Sequence, residues 1–473
     1  MVFSSSIFLL YFLPAFLIIY FIIPKKLKNS FALIASIVFY AWGAPDFIFI
    51  VLGSIIIDFY LVKVMNESTG KKKILLVTTS VLLNVGLLAY FKYANFFVEN
   101  INEILAAVGM HRLKWTAVAL PIGISFFTFQ KMTYAVDVYR GVYHPLKKPA
   151  DFALYILMFP QLIAGPIVRF NEIANQIEDR SWNENNNNRL TGFFRFTVGL
   201  AKKVLIANVL GEQVDMIFGT GQMEFNTLTA WVGITAYAFQ IYFDFSGYSD
   251  MAIGIGRMIG FDFPENFNNP YISQSISEFW RRWHITLGRW MRDYLYIPLG
   301  GNRVSTKRLY FNLWVVFLIS GLWHGAAWNF VIWGAFHGLF LVMDKLFLLK
   351  FYKKIGKIPS IVITFFITLV GWVLFRVESM TQAGDYFHNM FAADFKYDGH
   401  YFDTKFWFIM AVAFFFSFFG GFKKIEKWQM KLYEKNKNAA TLVLFFLIAV
   451  LLFIISLGYI TSSGFNPFIY FRF

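Results

Sequence analysis

Two histidines stand where an imidazole could act on a reactant. His324 lies in GLWHGAAWN, between Gly321 and Gly325, inside a run from Leu309 to Met343 without a formal charge. As one helix those 35 residues would be roughly 52 Å long at 1.5 Å per residue, against a hydrocarbon core of about 30 Å. The run must break, and the glycines beside His324 are the natural place. Broken backbone at membrane depth survives only inside protein or beside a cavity, so His324 is expected mid-membrane in a protein-lined interior. An ionisable group there is a functional candidate, and imidazole suits general acid–base work near neutral pH; the plainer alternative is a neutral histidine bonding between helices. Ser320, Gly325, Ala326, Ala327, Gly334 and Gly338 are small and read as close helix packing, and His337 as a packing histidine.

The second histidine, His284, sits in SISEFWRRWHITLGRWMRDYLYIPLGGNR. Ser275 and Glu278 have capping-box spacing, so a helix is expected to begin near Ile276. Carried on at 3.6 residues per turn, Trp280, Trp283, Leu287, Trp290, Met291 and Tyr294 share one face, and Arg281, Arg282, Arg289, Arg292 and Asp293 lie opposite. Such a helix rests at an interface more naturally than it spans a bilayer. Its arginines would meet either lipid headgroups or an anionic substrate such as the phosphates of coenzyme A. His284 falls at the edge of the apolar face, with the tryptophans.

The elements that must carry these residues are set by composition. Of 473 residues 58% are hydrophobic and 15% charged, against roughly 45 to 50% and about 25% in soluble domains, and mean hydropathy is +0.54. A soluble fold is excluded. Aromatic residues at 21% suit lipid-facing helices with interfacial belts. The net charge of +15 reads as lysine in cytoplasmic loops, hence an orientation signal and not nucleic-acid affinity. With no cysteine there are no disulfides, no thiolate metal site and no cysteinyl acyl intermediate.

Apolar blocks lie near 7–24, 31–62, 74–91, 116–136, 152–168, 190–210, 227–246, 309–343, 358–375, 406–421 and 439–460, which predicts ten or eleven helices in one integral domain spanning 1–473. The first is followed by Lys25, Lys26 and Lys28 and reads as a retained span with its N-terminus outside. Basic clusters at 345–357 and 423–437 place both segments in the cytoplasm, and the acidic 378–403 segment between them outside. The last span then delivers the tail 464–473 to the extracytoplasmic side. Asn185–Asn188 reads as a polar loop. GIGRMIG lacks the dinucleotide fingerprint, so Gly256 and Gly260 are expected to pack helices; Asp244 and Asp250 are either site-supporting or paired structural carboxylates. HExxH, GxSxG and P-loop motifs are absent, which leaves zinc, serine-hydrolase and NTPase chemistry without an anchor.

With these residues in view, the chain resembles the membrane-bound O-acyltransferase (MBOAT) family, specifically its bacterial branch that acetylates alginate and cell-wall polymers. The resemblance covers most of the chain. It rests on Pro121–Gly141, FPQLIAGPIVR (Phe159–Arg169), Phe239–Phe261, Ser277–Arg303 and Gly321–Gly338, five blocks in order. It implies an all-α, polytopic membrane fold with a central funnel and re-entrant or amphipathic helices. It implies further that His324 is the family's catalytic histidine and that His284 belongs to the second histidine motif of this branch. The tail NPFIYFRF resembles the tyrosine-bearing C-terminal motif of wall-acylation systems, in which Tyr470 would carry the acyl group; the plainer reading is an interfacial aromatic.

The expected activity is O-acetyl transfer in a bacterial cytoplasmic membrane, with no bound cofactor and with cytoplasmic acetyl-CoA as donor substrate. Arg281, Arg282 or Arg289 would meet the donor phosphates, and Asp293, Asn329 and Gln161 would support the site. His324 would act as general base on the Tyr470 phenol while His284 polarises the thioester or positions a reactant. The acetyl group would pass to an extracytoplasmic SGNH-type partner transferase and on to a polysaccharide or peptidoglycan. The alternatives are D-alanyl transfer from a carrier protein to teichoic acid, acylation of a lipid or protein, and transport without covalent chemistry.

Overall fold

A computed structural model of the chain describes residues 1–162, 165–219, 226–395 and 402–465, which are helical with no strand among them. Six helices there are long and apolar enough to cross a membrane: Pro45–Asn66, Gly70–Ala107, Trp328–Ile355, Lys357–Arg376, Thr404–Gly421 and Ala439–Ser462. Other apolar blocks of the sequence fall below that length or hydropathy, as Phe8–Ile22 does. Several apolar blocks pack inside the protein and bury polar groups, as the helix Asn186–Ala201 buries Arg195 and Thr227–Met258 buries Gln240, Asp244 and Asp250. Asn185–Asn188 is not a loop, because a helix begins at Asn186.

The chain forms two compact units. The first comprises Met1, Ile7–Asn185 and Gly256–Phe263. In it α1 (Ile48–Asn66) buries Val51, Ile55, Phe59, Val62 and Met65 at helical spacing, and Asp58 on the same face. Asp58 Oδ1 accepts from Ser80 Oγ at 2.7 Å and Oδ2 from Asn84 Nδ2 at 2.7 Å, both on α2 (Gly70–Leu88). Lys131, on α3 (Ile124–Tyr139), brings Nζ to 3.3 Å from Asp58 and donates to Ser54 at 3.0 Å. Gly260 turns the chain at φ +88°, and Gly256 faces the Phe263 ring, so this pair serves a turn and a ring contact instead of helix packing.

The second unit comprises Val2–Ser6, Asn186–Ile255 and Pro264–Phe473. Its long helix α4 (Thr227–Met258) meets Asn186–Ala201 through glycines: a Cβ on Gly254 would lie 2.6 Å from Phe196 N. Asp244 pairs with Lys203 at 3.0 Å, and Asp250 with Arg195 at 2.9 Å and Lys202 at 2.7 Å, so both are paired carboxylates. The arginine-rich segment begins as expected, with Ser275 Oγ accepting the Glu278 amide at 3.1 Å. It is not one continuous helix. It divides into α5 (Ile276–Arg282) and α6 (Ile285–Met291), because His284 takes φ +45°, ψ +52°. Asn266–Asn268 crosses the break, Asn268 N donating to Arg282 O and Ile285 N to Asn266 O, each at 2.9 Å. Those bonds satisfy backbone groups that a continuous helix would have used internally.

The charge-free run is two helices, α7 (Thr306–His324) and α8 (Trp328–Met343), broken at Gly325–Ala327 as its length required. They pack as a hairpin close enough that a Cβ on Gly334 would collide with the Phe317 carbonyl, and one on Gly321 with that of Phe330. The last element at the site is α9 (Lys357–Arg376), whose C-terminal end packs beside the hairpin turn.

Candidate active site

His324 ends α7 at the hairpin turn and is 6% exposed. Its ring meets Trp333 of α8 and Phe375 of α9 edge-on, each at 5.2 Å, and Trp323 at 5.0 Å. This places the imidazole in an aromatic wall built by three helices. In such surroundings a charge is poorly solvated, so its interaction with any reacting dipole is strong. The position owes its geometry to the glycines, since only they allow α7 and α8 to approach so closely.

His284 reaches the same wall from the α5–α6 break. Its ring centroid lies 6.4 Å from that of His324 and 6.0 Å from that of Trp323, with Phe245 edge-on at 4.7 Å. Nδ1 sits 3.1 Å from Asn266 Oδ1, while Nε2 is buried with no hydrogen-bond partner among the described residues. Burial pushes the imidazole down to about 3, so it is neutral at any working pH. The left-handed backbone at His284 is uncommon for a residue with a Cβ, and it turns the side chain off the amphipathic register.

Two cavities adjoin this segment. One, about 420 Å³, is lined by His284, Trp280, Phe317 and Ser320, with Arg281 and Arg292 among its polar residues. The other, about 440 Å³, is lined by Arg195, Lys202, Asp250 and Asn266. Ile285 and Arg289 line both. In the second, Ser246 Oγ, Ser249 Oγ, Asn266 Nδ2 and Asn269 Oδ1 are buried with no hydrogen-bond partner among the described residues. Buried polar groups are ordinarily satisfied, so a cavity bordered by four open ones is built for a polar occupant.

The structure sorts the other sequence-derived residues. Arg281 and Arg289 are exposed residues that line cavities. Arg282 bonds Glu278 at 2.9 Å and Glu426 at 3.2 Å, and Asp293 bonds Arg292 at 2.7 Å. Asn329 Nδ2 donates to Val377 O at 2.8 Å, closing the end of α9. Gln161 is buried in the first unit, where its amide donates to Tyr155 O. His337 accepts the Trp280 indole N–H at 3.3 Å, a packing role. Tyr470 lies outside the described residues. Asn266 is the residue that the sequence reading missed; its signal is the polar cluster PENFNNPY among apolar blocks, without any helical period.

Among the described residues no group of three His, Asp or Glu side chains could hold a metal ion. What the arrangement offers is two buried imidazoles with ring centroids 6.4 Å apart, of which His284 lines a cavity bordered by arginine, suited to moving a proton during group transfer at an apolar site.

The model of the MBOAT, membrane-bound O-acyltransferase, family matches residues 147–381. A Pseudomonas aeruginosa protein named as a probable alginate O-acetylase is 44% identical over 395 residues, covering 83% of this chain and 75% of its own. The peptidoglycan O-acetyltransferase of Helicobacter pylori is 38% identical over 418 residues, 81% of this chain and 78% of its own. The teichoic acid D-alanyltransferase of Bacillus subtilis is 28% identical over 274 residues, 54% of this chain and 68% of its own.

Proposed function

The chain belongs to the membrane-bound O-acyltransferase family, in its bacterial O-acetylation branch, and from that premise we propose that it transfers acetyl groups from cytoplasmic acetyl-CoA for O-acetylation of an extracytoplasmic polysaccharide or peptidoglycan. It is a multi-pass membrane protein and an O-acyltransferase. The observation that carries the reading is the buried pair His284 and His324, with ring centroids 6.4 Å apart in an aromatic wall, of which His284 lines a cavity that also includes Arg289.

The acetyl thioester is uncharged and its reaction centre needs little more than a proton acceptor, a confined site and exclusion of water. Coenzyme A beyond it is polyanionic and carries amides. Arg289 and Arg281 at the cavities supply guanidinium groups for phosphates, and the open hydroxyls of Ser246 and Ser249 with the Asn266 amide suit a chain of amide carbonyls. Arg282, Asp293, Asn329 and Gln161 act as structural residues in this reading, since each already bonds within the protein. No cofactor is needed.

The first acceptor is the Tyr470 phenol, from which the acetyl group passes to the serine of an SGNH-type partner transferase outside the membrane. The whole chain acts as one catalytic domain of a bacterial cytoplasmic membrane, with both termini extracytoplasmic. A donor assay tests the reading: the full-length protein in bilayers, offered acetyl-CoA or D-alanyl carrier protein, should consume the first and ignore the second. Preference for the carrier protein would move the function to teichoic acid D-alanylation, the activity named for the Bacillus subtilis relative.

A further inference from the structure

Three groups converge on one oxygen beside His284. Asn266 Oδ1 receives the Thr286 backbone N–H at 3.3 Å and the Thr286 hydroxyl at 2.9 Å, and it lies 3.1 Å from His284 Nδ1. A backbone N–H can only donate, so the amide atom it faces is the oxygen and not the nitrogen. Facing that oxygen, Nδ1 of a neutral imidazole must hold the proton, which leaves the lone pair on Nε2. Nε2 is the buried nitrogen with no hydrogen-bond partner among the described residues, in a side chain that lines the 420 Å³ cavity.

We propose that Asn266 is a positioning residue that locks His284 in its Nδ1–H tautomer, so that His284 meets the reactants as a proton acceptor and not as a donor polarising the thioester. The proposal rests on the acetyl-transfer reading above and gives His284 the base role that the sequence assigned to His324, in place of polarising the thioester or positioning a reactant. In the step it describes, the acceptor hydroxyl oxygen bonds to the thioester carbonyl carbon as its proton passes to Nε2. The C–S bond then breaks, and the imidazolium returns the proton to the departing thiolate. An acetyl ester and free coenzyme A result, the imidazole is restored, and no further reactant is consumed.

Asn266 itself is 1% exposed and bound on its oxygen side by three groups, so the lock is rigid. The rings facing His284 are Phe245, Trp323 and His324, and the charged groups sharing its cavity are Arg281, Arg289 and Arg292. None of these stabilises an imidazolium. Proton transfer to Nε2 is therefore coupled to negative charge appearing on the thioester, and the lone pair stays available until then.

The test uses the full-length protein in lipid bilayers with two readouts. Solid-state NMR of ¹⁵N-histidine, assigned against His284→Gln, should show a protonated Nδ1 and a bare Nε2 in wild type and Asn266→Asp, and loss of that pattern in Asn266→Leu. Thiol release from acetyl-CoA is read without background because the chain has no cysteine. Asn266→Leu should lower the maximal rate roughly ten- to a hundredfold with KM for acetyl-CoA unchanged, the scale of other residues that orient a functional histidine. Asn266→Asp, whose carboxylate accepts from all three donors, should keep most of the rate and move the acidic limb of the pH profile upward. Thr286→Val, which removes one bond to Asn266 but spares the His284 bond, should keep the wild-type NMR pattern and lower the rate less than Asn266→Leu. A protonated Nε2 in wild type, a wild-type rate in Asn266→Leu, or an equal loss in Thr286→Val would overturn the proposal. If wild type releases no thiol, the acetyl-transfer reading fails and the base role falls with it, while the tautomer measurement still decides whether Asn266 sets the ring.

Discussion

Two buried polar clusters in this protein are built from similar groups and end differently. Around Asp58, both carboxylate oxygens are engaged, by Ser80 on one side and by Asn84 and Lys131 on the other, and Lys131 has Ser54 as well. Around His284, Asn266 Oδ1 is crowded with three partners while His284 Nε2 and Asn266 Nδ2 have none among the described residues. A buried ion pair whose carboxylate oxygens are all engaged by neighbouring helices is interhelical glue, even with Asn84 Oδ1 left open beside it. A buried nitrogen left open in a residue that lines a cavity is a candidate to meet a reactant there.

If that contrast is right, the two clusters fail in different currencies. The largest effect is on chemistry: His324→Ala and His284→Ala should each lower acetyl transfer by about 10² to 10⁴, the range of a lost general acid–base group, with the fold intact. Thiol release together with gel filtration would show it, and co-loss of the monodisperse peak would instead make the histidines structural. Next comes Asp58→Ala, which strands Lys131 as a buried charge at a cost of about 3–5 kcal/mol. Expression and thermal melting should collapse, and Asp58→Asn with Lys131→Met should restore them without altering the rate per folded molecule. A double variant that folds yet loses activity would erase the distinction.

Smaller effects sharpen it. Gly334→Ala pushes a methyl into the Phe317 carbonyl and should cost about 1–3 kcal/mol by overpacking the α7–α8 hairpin. Its melting temperature should fall, and activity with it only as the turn bearing His324 shifts. Asn329→Ala releases the Val377 carbonyl and should cost about 1 kcal/mol, visible in melting but not in KM for acetyl-CoA. The subtlest is a pH effect. His284 titrates near 3 when folded against 6.5 ordinarily, so over that window the unfolded chain binds a proton that the folded chain refuses, and stability falls as pH drops. His284→Gln should therefore lose less melting temperature than wild type between pH 7 and pH 5; equal losses would contradict the burial.

How much of this was legible before the structure depends on the range of the forces involved. The break at His324 was legible because a charge-free run can be measured against a bilayer, and the small residues there are the ones the hairpin needs. The break at His284 was not, because the 3.6-residue pattern of its tryptophans runs straight through it and the cause, Asn266, lies 18 residues away. Arg282, Asp293 and Asn329 have the chemistry of ligands but bond to Glu426, Arg292 and Val377, partners that no local pattern announces. Helices such as Thr227–Met258 bury polar groups inside the protein, which hydropathy along the sequence does not separate from lipid-facing spans.

Acetyl transfer through Tyr470 under His324 is read by intact mass spectrometry of the protein after incubation with acetyl-CoA, comparing wild type, His324→Ala and Tyr470→Phe. Wild type should gain one acetyl group at Tyr470, and neither variant should. Wild-type protein that ignores acetyl-CoA, or that becomes acetylated to the same extent with His324 replaced, would contradict that route.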